Sequence, residues 1–367
     1  MKQSLPIRPD AVTFERDCQV GKWSKLAYMN LKSTSCIGFA LAFGMLSCSV
    51  GQKKEAPGNE ARRWAIALHG GAGTISRSQM TPARDSGYRT SLDLALKTGE
   101  DILSRGGSAL DAVEQTIAVL EDNPLFNAGR GAVFNREGKV QLDAAIMEGE
   151  KGMAGAVAAV EGIRNPIRLA RIVMERSPHV FLCGAGAREF GIEQGLDTAS
   201  ASWFYTRERW EQLQRQRATG KSGSLENHAE SLGTVGCVAL DQQGLLAAGT
   251  STGGMTNKRE GRIGDSPVIG AGTWADNRTC AVSCTGHGEY FLRLAMAHEL
   301  HSRILHGNQG LEKAAGALIL EELSKAGAQG GLIAVDGKGR IVMPFNSEGM
   351  FRAFSNGKSR KIAIYRE

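Results

Sequence analysis

The sequence lacks the residue spacings of three common classes of site. Its seven cysteines include no CxxC pair with a partner histidine, so a zinc site is not expected. The glycine-rich run at residues 69–73 is not followed by the Lys-Ser/Thr pair of a phosphate-binding loop. The formal charge is only +6, and neither a concentrated basic face nor a recognition motif supports nucleic-acid binding.

Apolar runs long enough to cross a membrane are also missing from the N-terminal region. The run at residues 36–46 is too short for a transmembrane helix, but it follows a basic segment that starts at Met29. It precedes Ser47-Cys48, which resembles a bacterial lipoprotein box with Cys48 as the lipidation site. We therefore expect residues 1–60 to be a signal peptide or lipoprotein leader with a polar tether, and Met29 is an alternative start.

This leader predicts an exported bacterial protein that is either periplasmic or anchored in the membrane through lipidated Cys48. The alternative is that residues 36–46 form a buried helix of the domain. The polar, low-complexity residues 51–60 follow immediately and favour the leader.

The sequence is rich in apolar runs that are separated by glycines. Hydrophobic residues make up 42% of the 367 residues, and the 47 glycines fall between apolar runs, which predicts a large core with many tight turns. Residues 64–68 are predicted to be a buried strand that runs into a glycine turn, where His69 is interpreted as structural. Ser108 is predicted to cap a helix. Strands at both ends with helices between them predict an α+β layered fold.

Three hairpins are predicted from apolar runs that flank turn residues. They join residues 132–134 to residues 140–143, residues 235–240 to residues 245–248, and residues 332–335 to residues 340–343. The aromatic and charged residues 202–217 lead into a small, polar stretch that ends at Gly233. This stretch is interpreted either as a linker between two domains or as a cleavable connection inside one domain.

The residue after this linker, Thr234, is a candidate nucleophile. A threonine hydroxyl needs a base within hydrogen-bond reach, and the α-amine of the same residue supplies one when that residue is a chain N-terminus. The α-amine has a reference pKa of roughly 7.7–8.0, so part of it is neutral near neutral pH. Hydrolysis after Gly233 would create nucleophile and base together. By itself, however, a Gly-Thr pair at a strand start is more often structural.

The surrounding motifs are more specific. They occur in order along the chain, and together they resemble the plant-type asparaginase/isoaspartyl aminopeptidase family of N-terminal nucleophile hydrolases. The likeness covers roughly residues 64–367. The matching stretches are residues 69–73, 123–129, 233–236, 250–258, 261–267, 285–286 and 344–350.

The resemblance implies a four-layer αββα sandwich that is made as an inactive precursor. Cleavage between Gly233 and Thr234 would divide the hydrolase domain into an α part, residues 61–233, and a β part, residues 234–367. The two parts would stay together, and the family suggests a homodimer of processed αβ units. No catalytic cofactor is implied.

Roles carried over from the family fall on particular residues of this chain. Thr234 is the implied nucleophile and Thr252 the hydroxyl that supports it, although Thr252 alone is also an ordinary strand residue. Arg262 would bind the substrate α-carboxylate, and Asp265 would hold the α-ammonium group with the carbonyl of Gly288. Without the resemblance, Arg262 and Asp265 are more readily explained as an ion pair with each other on a surface loop.

The remaining implied roles concern the oxyanion and the loops. The Thr285 hydroxyl and the Gly286 N–H would form the oxyanion hole. Asn127 lies near the nucleophile in the substrate-binding set, and His287 receives no catalytic role. The corresponding loop in the family binds a structural sodium ion through main-chain carbonyls, which here would be those of Leu120, Glu121, Asn123, Phe126, Ala128 and Arg130.

The resemblance implies hydrolysis of a small-molecule or dipeptide substrate, either the asparagine side-chain amide or an isoaspartyl peptide bond. The alternatives are a glycosylasparaginase of the same superfamily and a non-catalytic surface lipoprotein that keeps the fold for binding.

Overall fold

A computed structural model describes residues 63–218 and 233–366 of the chain. These residues all lie in one compact unit, Pro57–Glu367. The leader with Met29 and Cys48 and the linker at residues 219–232 lie outside the described residues.

Twelve strands and nine α-helices are found in the described residues. The strands are β1 (Ala65–Gly73), β2 (Leu142–Glu148), β3 (Ala154–Val160), β4 (Phe181–Cys183), β5 (Val235–Leu240), β6 (Leu246–Thr252), β7 (Thr273–Ala275), β8 (Cys280–Gly286), β9 (Gly330–Asp336), β10 (Ile341–Val342), β11 (Gly349–Ser355) and β12 (Arg360–Tyr365). The helices are α1 (Pro82–Ser104), α2 (Ala109–Glu121), α3 (Pro166–Arg176), α4 (Gly184–Glu193), α5 (Ala201–Phe204), α6 (Arg207–Ala218), α7 (Gly288–Arg293), α8 (Met296–Leu305) and α9 (Leu311–Gly316), the last continued by a π-helical turn, Ala317–Leu323.

The strands of the described residues form two facing sheets. The larger sheet has the order β12-β11-β1-β5-β6-β2-β3-β4, and the smaller has the order β10-β9-β8-β7. Helices α1, α2 and α3 cover the outer face of the larger sheet, and α8 and α9 cover the outer face of the smaller. The four-layer αββα sandwich that the sequence predicts is confirmed.

Side-chain size follows the alternation of the strands. In β1, Ile66 and Leu68 face the helices, whereas Ala65 and Ala67 face the smaller sheet. Successive residues of a strand point to opposite faces, so one strand can present large side chains outward and small ones to the second sheet. The small side chains allow the two sheets to approach closely.

The helix start predicted at Ser108 is confirmed. The Ser108 side chain accepts a hydrogen bond from the Asp111 N–H at 3.1 Å, which satisfies one of the free donors in the first turn of α2. Helix α1 begins in the same way, with Thr81 accepting from the Arg84 N–H and Pro82 in the first turn.

The hairpin predicted between residues 132–134 and 140–143 is wrong. Residues 132–134 are not a strand, and β2 instead pairs with β3 and with β6. The local turn is real, because the Asn135 N–H donates to the Lys139 carbonyl at 2.9 Å. The apolar residues before it are buried against other elements and not against β2, so alternation alone misassigned the pairing.

Among residues 63–218 and 233–366, no helix combines the length with the apolar composition that crossing a bilayer requires.

An aromatic cluster ties the central strands to α1. Phe351 of β11 is fully buried and stacks on Tyr88 of α1, with ring centroids 4.1 Å apart.

We expect Phe351→Ala to lower the free energy of unfolding by about 3–5 kcal/mol, because the packed side chains around Phe351 cannot move in to fill the cavity. Urea denaturation measures the change. Leu94→Ala, at a position 57% exposed on the same helix, should change stability by less than about 0.5 kcal/mol. Equal effects of the two changes would contradict this account of the core.

Candidate active site

The register of β5 and β6 brings two threonine hydroxyls together. Val235 pairs with Ser251, so Thr234, one residue earlier, lies opposite Thr252, one residue later. Opposite residues on neighbouring antiparallel strands point to the same face. The Thr234 and Thr252 hydroxyl oxygens are 3.2 Å apart, and both side chains are buried in the gap between the sheets.

A third hydroxyl completes this group. Ser266 Oγ lies 3.4 Å from Thr234 Oγ1. The Thr252 hydroxyl also accepts a hydrogen bond from the Gly254 N–H at 2.9 Å. Thr252 Oγ1 therefore accepts two hydrogen bonds, one from the Thr234 hydroxyl and one from the Gly254 N–H, which its two lone pairs allow.

Asn127 supports the chain that follows Thr252. Its side-chain Nδ2 donates to the Gly254 carbonyl at 2.7 Å, and its Oδ1 accepts from the Val133 N–H at 3.0 Å. The side chain is almost fully buried, and both ends of its amide are bonded to backbone. Asn127 therefore holds the Gly253-Gly254 turn, and the pocket lined by Thr234 does not include it.

The residue before Thr234 is enclosed on two sides. A Cβ added to Gly233 would lie 2.6 Å from Thr285 Oγ1 and 3.3 Å from the Ala72 nitrogen. On the opposite side, a Cβ added to Gly71, whose φ is +112°, would lie 2.6 Å from the Gly233 carbonyl oxygen. The peptide group between Gly233 and Thr234 thus passes through a slot in which two facing glycines are required.

The Thr285 hydroxyl is oriented toward this slot. It is buried, and it has no hydrogen-bond partner among the described residues. A buried hydroxyl without a partner is destabilising unless a ligand or substrate atom uses it. The next residue, Gly286, has φ of +149° and touches the Gln329 carbonyl so closely that a side chain would clash there.

Arg262 and Asp265 line the same pocket as Thr234. The Arg262 Nε and Nη2 are 3.0 and 2.9 Å from one carboxylate oxygen of Glu289, so Arg262 forms its ion pair with Glu289 and not with Asp265. A Cβ added to Gly288 would lie 2.8 Å from Asp265 Oδ1 and 3.0 Å from Arg262 Nη2. Gly288 therefore abuts both charged groups.

Asp265 is a buried carboxylate with an unused oxygen. Its Oδ2 receives no hydrogen bond from any described residue. The pKa of Asp265 is raised to about 7, chiefly by burial, with the charges of Glu289 and Asp143 adding to the shift and a backbone hydrogen bond and Arg262 opposing it. A cationic group at Oδ2 would reverse this penalty, because an opposite charge favours the ionised carboxylate.

His287 lines the same pocket beside Gln329. The imidazole Nδ1 accepts a hydrogen bond from the backbone N–H of Gln329 at 3.3 Å. The backbone N–H of His287 donates to the Gln329 carbonyl at 3.0 Å. Burial lowers the pKa of His287, against the opposing effect of Glu289. The imidazole therefore forms part of the pocket wall next to the predicted oxyanion residues.

The loop after α2 has the curvature that a main-chain cation site requires. A Cβ on Gly129, whose φ is +49°, would fall against the Glu121 carbonyl, and one on Gly131 would fall against the carbonyls of Phe126 and Pro124. The carbonyls of Asn123, Phe126 and Ala128 each accept one backbone N–H, which leaves each a second lone pair, whereas that of Leu120 accepts from both Asp122 and Asn123. These residues fit a cation such as sodium, and the site of six carbonyls predicted from Leu120 to Arg130 stays a prediction. The described residues contain no group of three or more His, Cys, Asp or Glu side chains that could hold a metal ion.

Sequence reasoning missed Ser266 and Glu289. Ser266 directly follows Asp265, and Glu289 directly follows Gly288, so both adjoined residues already singled out. Their roles depend on which side chain each one meets across the pocket, and spacing along the chain does not contain that information.

This site and fold have counterparts among known proteins. The chain matches the family described as Asparaginase over residues 62–364. It is 47% identical over 308 residues to the isoaspartyl peptidase of Salmonella typhimurium, covering 82% of this chain and 98% of that protein. The isoaspartyl peptidase of Escherichia coli is also 47% identical, with 82% and 96% covered, and the bovine isoaspartyl peptidase/L-asparaginase is 42% identical over 297 residues, with 80% and 94% covered.

The chain belongs to the asparaginase family. The resemblance noted in the sequence is thereby confirmed, and so is the N-terminal nucleophile hydrolase fold that the family shares.

The expectation of an exported, periplasmic or lipid-anchored protein is wrong. The asparaginase match begins at residue 62, after the segment on which that expectation was based. The two bacterial relatives are matched over 98% and 96% of their own length, which leaves too few residues in them for a leader of this kind. Neither a signal peptide nor a lipoprotein is therefore supported by the asparaginase relatives, and Cys48 lies outside the described residues.

The electrostatics of the asparaginase pocket can be tested directly. We expect the Asp265 carboxyl to titrate near pH 7 and Glu289→Gln to move this titration to lower pH, because one negative charge beside it is removed. Carboxyl ¹³C shifts of aspartate-labelled protein report both values. The control is Asp276: partial burial raises its pKa, but hydrogen bonds from Arg278 hold it below the usual value, and it should not change in the variant. An Asp265 titration below about pH 5, in the range of ordinary aspartates, would contradict the buried-carboxylate account.

Proposed function

We propose that this protein is a self-processing hydrolase that cleaves isoaspartyl dipeptides or the side-chain amide of asparagine. The observation that carries the proposal is the group of hydroxyls formed by Thr234, Thr252 and Ser266, which lines one pocket together with Arg262 and Asp265. The relatives named isoaspartyl peptidase or isoaspartyl peptidase/L-asparaginase support this substrate class.

Cleavage before Thr234 would come first. The Thr234 hydroxyl attacks the Gly233 carbonyl, the peptide becomes an ester, and water hydrolyses the ester to leave Thr234 with a free α-amine. The α part, residues 61–233, and the β part, residues 234–367, remain packed together, because β1 and β5 are neighbours in one sheet. The enclosure of Gly233 by Gly71, Ala72 and Thr285 supports this step, since it limits the conformations of the peptide to be cut.

Substrate hydrolysis would use the same hydroxyl. The α-amine of Thr234 takes the hydroxyl proton, and Oγ1 attacks the side-chain carbonyl of the substrate. The oxyanion is stabilised by the Thr285 hydroxyl and the Gly286 N–H. The departing amine takes a proton from the α-ammonium, and water then hydrolyses the β-aspartyl ester to release aspartate and restore Thr234.

The charged wall of the pocket would select the aspartyl moiety. The outer edge of the Arg262 guanidinium binds the α-carboxylate, while Glu289 holds its other edge. Asp265 receives the α-ammonium with the carbonyl of Gly288. Asn127 acts indirectly, through the Gly253-Gly254 turn that supports Thr252.

The wider assembly follows from the same proposal. The protein works as a homodimer of processed αβ units, and the loop from Leu120 to Arg130 holds a structural sodium ion that takes no part in the chemistry.

Glycosylasparaginase activity and a purely binding role are the competing outcomes. Comparing the hydrolysis of an isoaspartyl dipeptide, asparagine and glycosylated asparagine distinguishes them.

Processing depends on the Thr234 hydroxyl. We expect Thr234→Ala to remain one chain on a denaturing gel and to lack activity, because no nucleophile remains. Thr234→Ser keeps a hydroxyl and should still be cut, with N-terminal sequencing of the smaller fragment beginning at residue 234. Cleavage of the alanine variant at the same bond would mean that another agent cuts the linker, and the proposed mechanism would be lost.

Processing also depends on the slot around Gly233. We expect Gly233→Ala to slow cleavage by about 10–100-fold, because its Cβ must push Thr285 and Ala72 apart and overpacking costs about 1–3 kcal/mol. Cleavage is followed by gel densitometry after synthesis of the precursor. Gly186→Ala is the matched control, since a Cβ there meets no atom within 4 Å. Unchanged cleavage in the Gly233 variant would contradict the slot.

A further inference from the structure

A chain of hydrogen bonds crosses the otherwise apolar gap behind Thr234. His69 Nδ1 lies 3.0 Å from the Thr234 carbonyl oxygen, and His69 Nε2 lies 3.0 Å from Ser283 Oγ. Ser283 Oγ lies 2.7 Å from Thr250 Oγ1, which lies 2.6 Å from Thr273 Oγ1. All four side chains are fully buried. We call His69, Ser283, Thr250 and Thr273 the His69 relay.

Every proton in the His69 relay has an assigned direction. A carbonyl oxygen only accepts, so His69 Nδ1 carries the proton that bonds to Thr234. Burial lowers the pKa of His69 to about 3, so the ring is neutral and its Nε2 accepts from the Ser283 hydroxyl. Ser283 has one proton, so it accepts from Thr250 at 2.7 Å, the shorter of two contacts open to the Thr250 proton, since the Gly272 carbonyl lies at 3.2 Å. Thr250 in turn accepts from Thr273. Four donors thus point one way, toward the carbonyl of Thr234.

The His69 relay lies between the two sheets, and Gly236 provides the space for it because it has no side chain. His69 and Thr250 belong to the larger sheet, and Thr273 and Ser283 belong to the smaller, so the relay joins both sheets where their other contacts are apolar. A Cβ on Gly236, the neighbour of His69 in β5, would clash with His69 Nε2 and Ser283 Oγ. A fully satisfied polar network of this kind specifies one arrangement of a core.

Thr273, the last residue of the relay, contacts the backbone of Ser266, which lines the pocket. Thr273 Oγ1 lies 3.3 Å from the Ser266 carbonyl oxygen, and Ser266 Oγ lies 3.4 Å from Thr234 Oγ1. The relay therefore contacts the backbone of both residues whose hydroxyls meet in front of it.

We propose that His69 is a positioning residue for the nucleophile and that the relay fixes the Thr234 backbone so that its hydroxyl and nitrogen face the reacting carbonyl. Rotation about the Cα–C bond of Thr234 would turn its carbonyl away from Nδ1, and the relay opposes that rotation. His69 touches no substrate atom, so its effect is on processing and turnover and not on substrate binding. This inference deepens the proposed function and rests on it.

Two substitutions separate the two edges of the imidazole. His69→Asn places an amide N–H where Nδ1 lies and can still donate to the Thr234 carbonyl. His69→Gln places its amide near Nε2 and loses that donor. We expect His69→Gln to lower kcat and the rate of processing by about tenfold or more, roughly the loss of one hydrogen bond, while His69→Asn stays within about threefold of the parent.

The readout is the split between kcat and KM on an isoaspartyl dipeptide. KM should stay within about twofold in both variants, because Arg262 and Asp265 are untouched. Both variants lose similar packing, so thermal unfolding should fall by similar amounts and cannot explain a difference in kcat. Equal kcat and equal processing in the two variants, or a change in KM alone, would overturn the proposal.

A second pair decides the question if His69→Gln does not fold. Thr250→Val removes the middle hydroxyl of the relay with little change in shape, and we expect lower kcat and slower processing at unchanged KM. Thr116→Val is the control, because Thr116 is equally buried but lies on α2, outside the relay. Identical kinetics for the two valine variants would refute the relay. That result would leave the proposed function standing, whereas activity in Thr234→Ala would refute the proposed function whatever the relay does.

Discussion

The register of the β5–β6 hairpin is the constraint on which the site depends. Asp241 fixes the turn, because its carboxylate accepts from the N–H groups of Gln243 and Leu245, both at 2.9 Å. A shift of one residue would send Thr234 to the helix-covered face, since neighbouring residues of a strand point to opposite sides. With the register as found, Thr234 and Thr252 face each other at the end of the gap between the sheets.

The gap is largely apolar, and the polar groups inside it are grouped around Thr234. The His69 relay contacts its carbonyl oxygen, and Ser266 contacts its hydroxyl. The Thr285 hydroxyl and the Asp265 carboxylate each have a buried oxygen with no partner among the described residues. Buried polar groups destabilise a fold unless they are satisfied. The satisfied ones in the His69 relay hold the backbone, whereas Thr285 Oγ1 and Asp265 Oδ2, which have no partner among the described residues, are proposed to meet the substrate.

Much of this arrangement could be predicted from local sequence, and some could not. The cap at Ser108 and the β5–β6 hairpin have short-range signals, because capping and turn residues act within a few positions. The pairing of β11 with β1 joins residues nearly 300 apart, and no local pattern announces it. The same holds for the bond from Glu289 to Arg262 and for the relay, whose members become neighbours only when the two sheets meet. The exported leader was inferred from a local pattern alone, and the comparison with whole relatives contradicted it.

In the proposed reaction, Thr234 carries the acyl group during turnover. The most direct test is intact-mass analysis of the enzyme mixed with an isoaspartyl dipeptide and quenched in acid within one turnover. We expect the fragment beginning at residue 234 to gain the mass of one aspartyl group, and fragmentation to locate this group on Thr234. A burst of product with no adduct on this fragment, or an adduct on any other residue, would contradict the account.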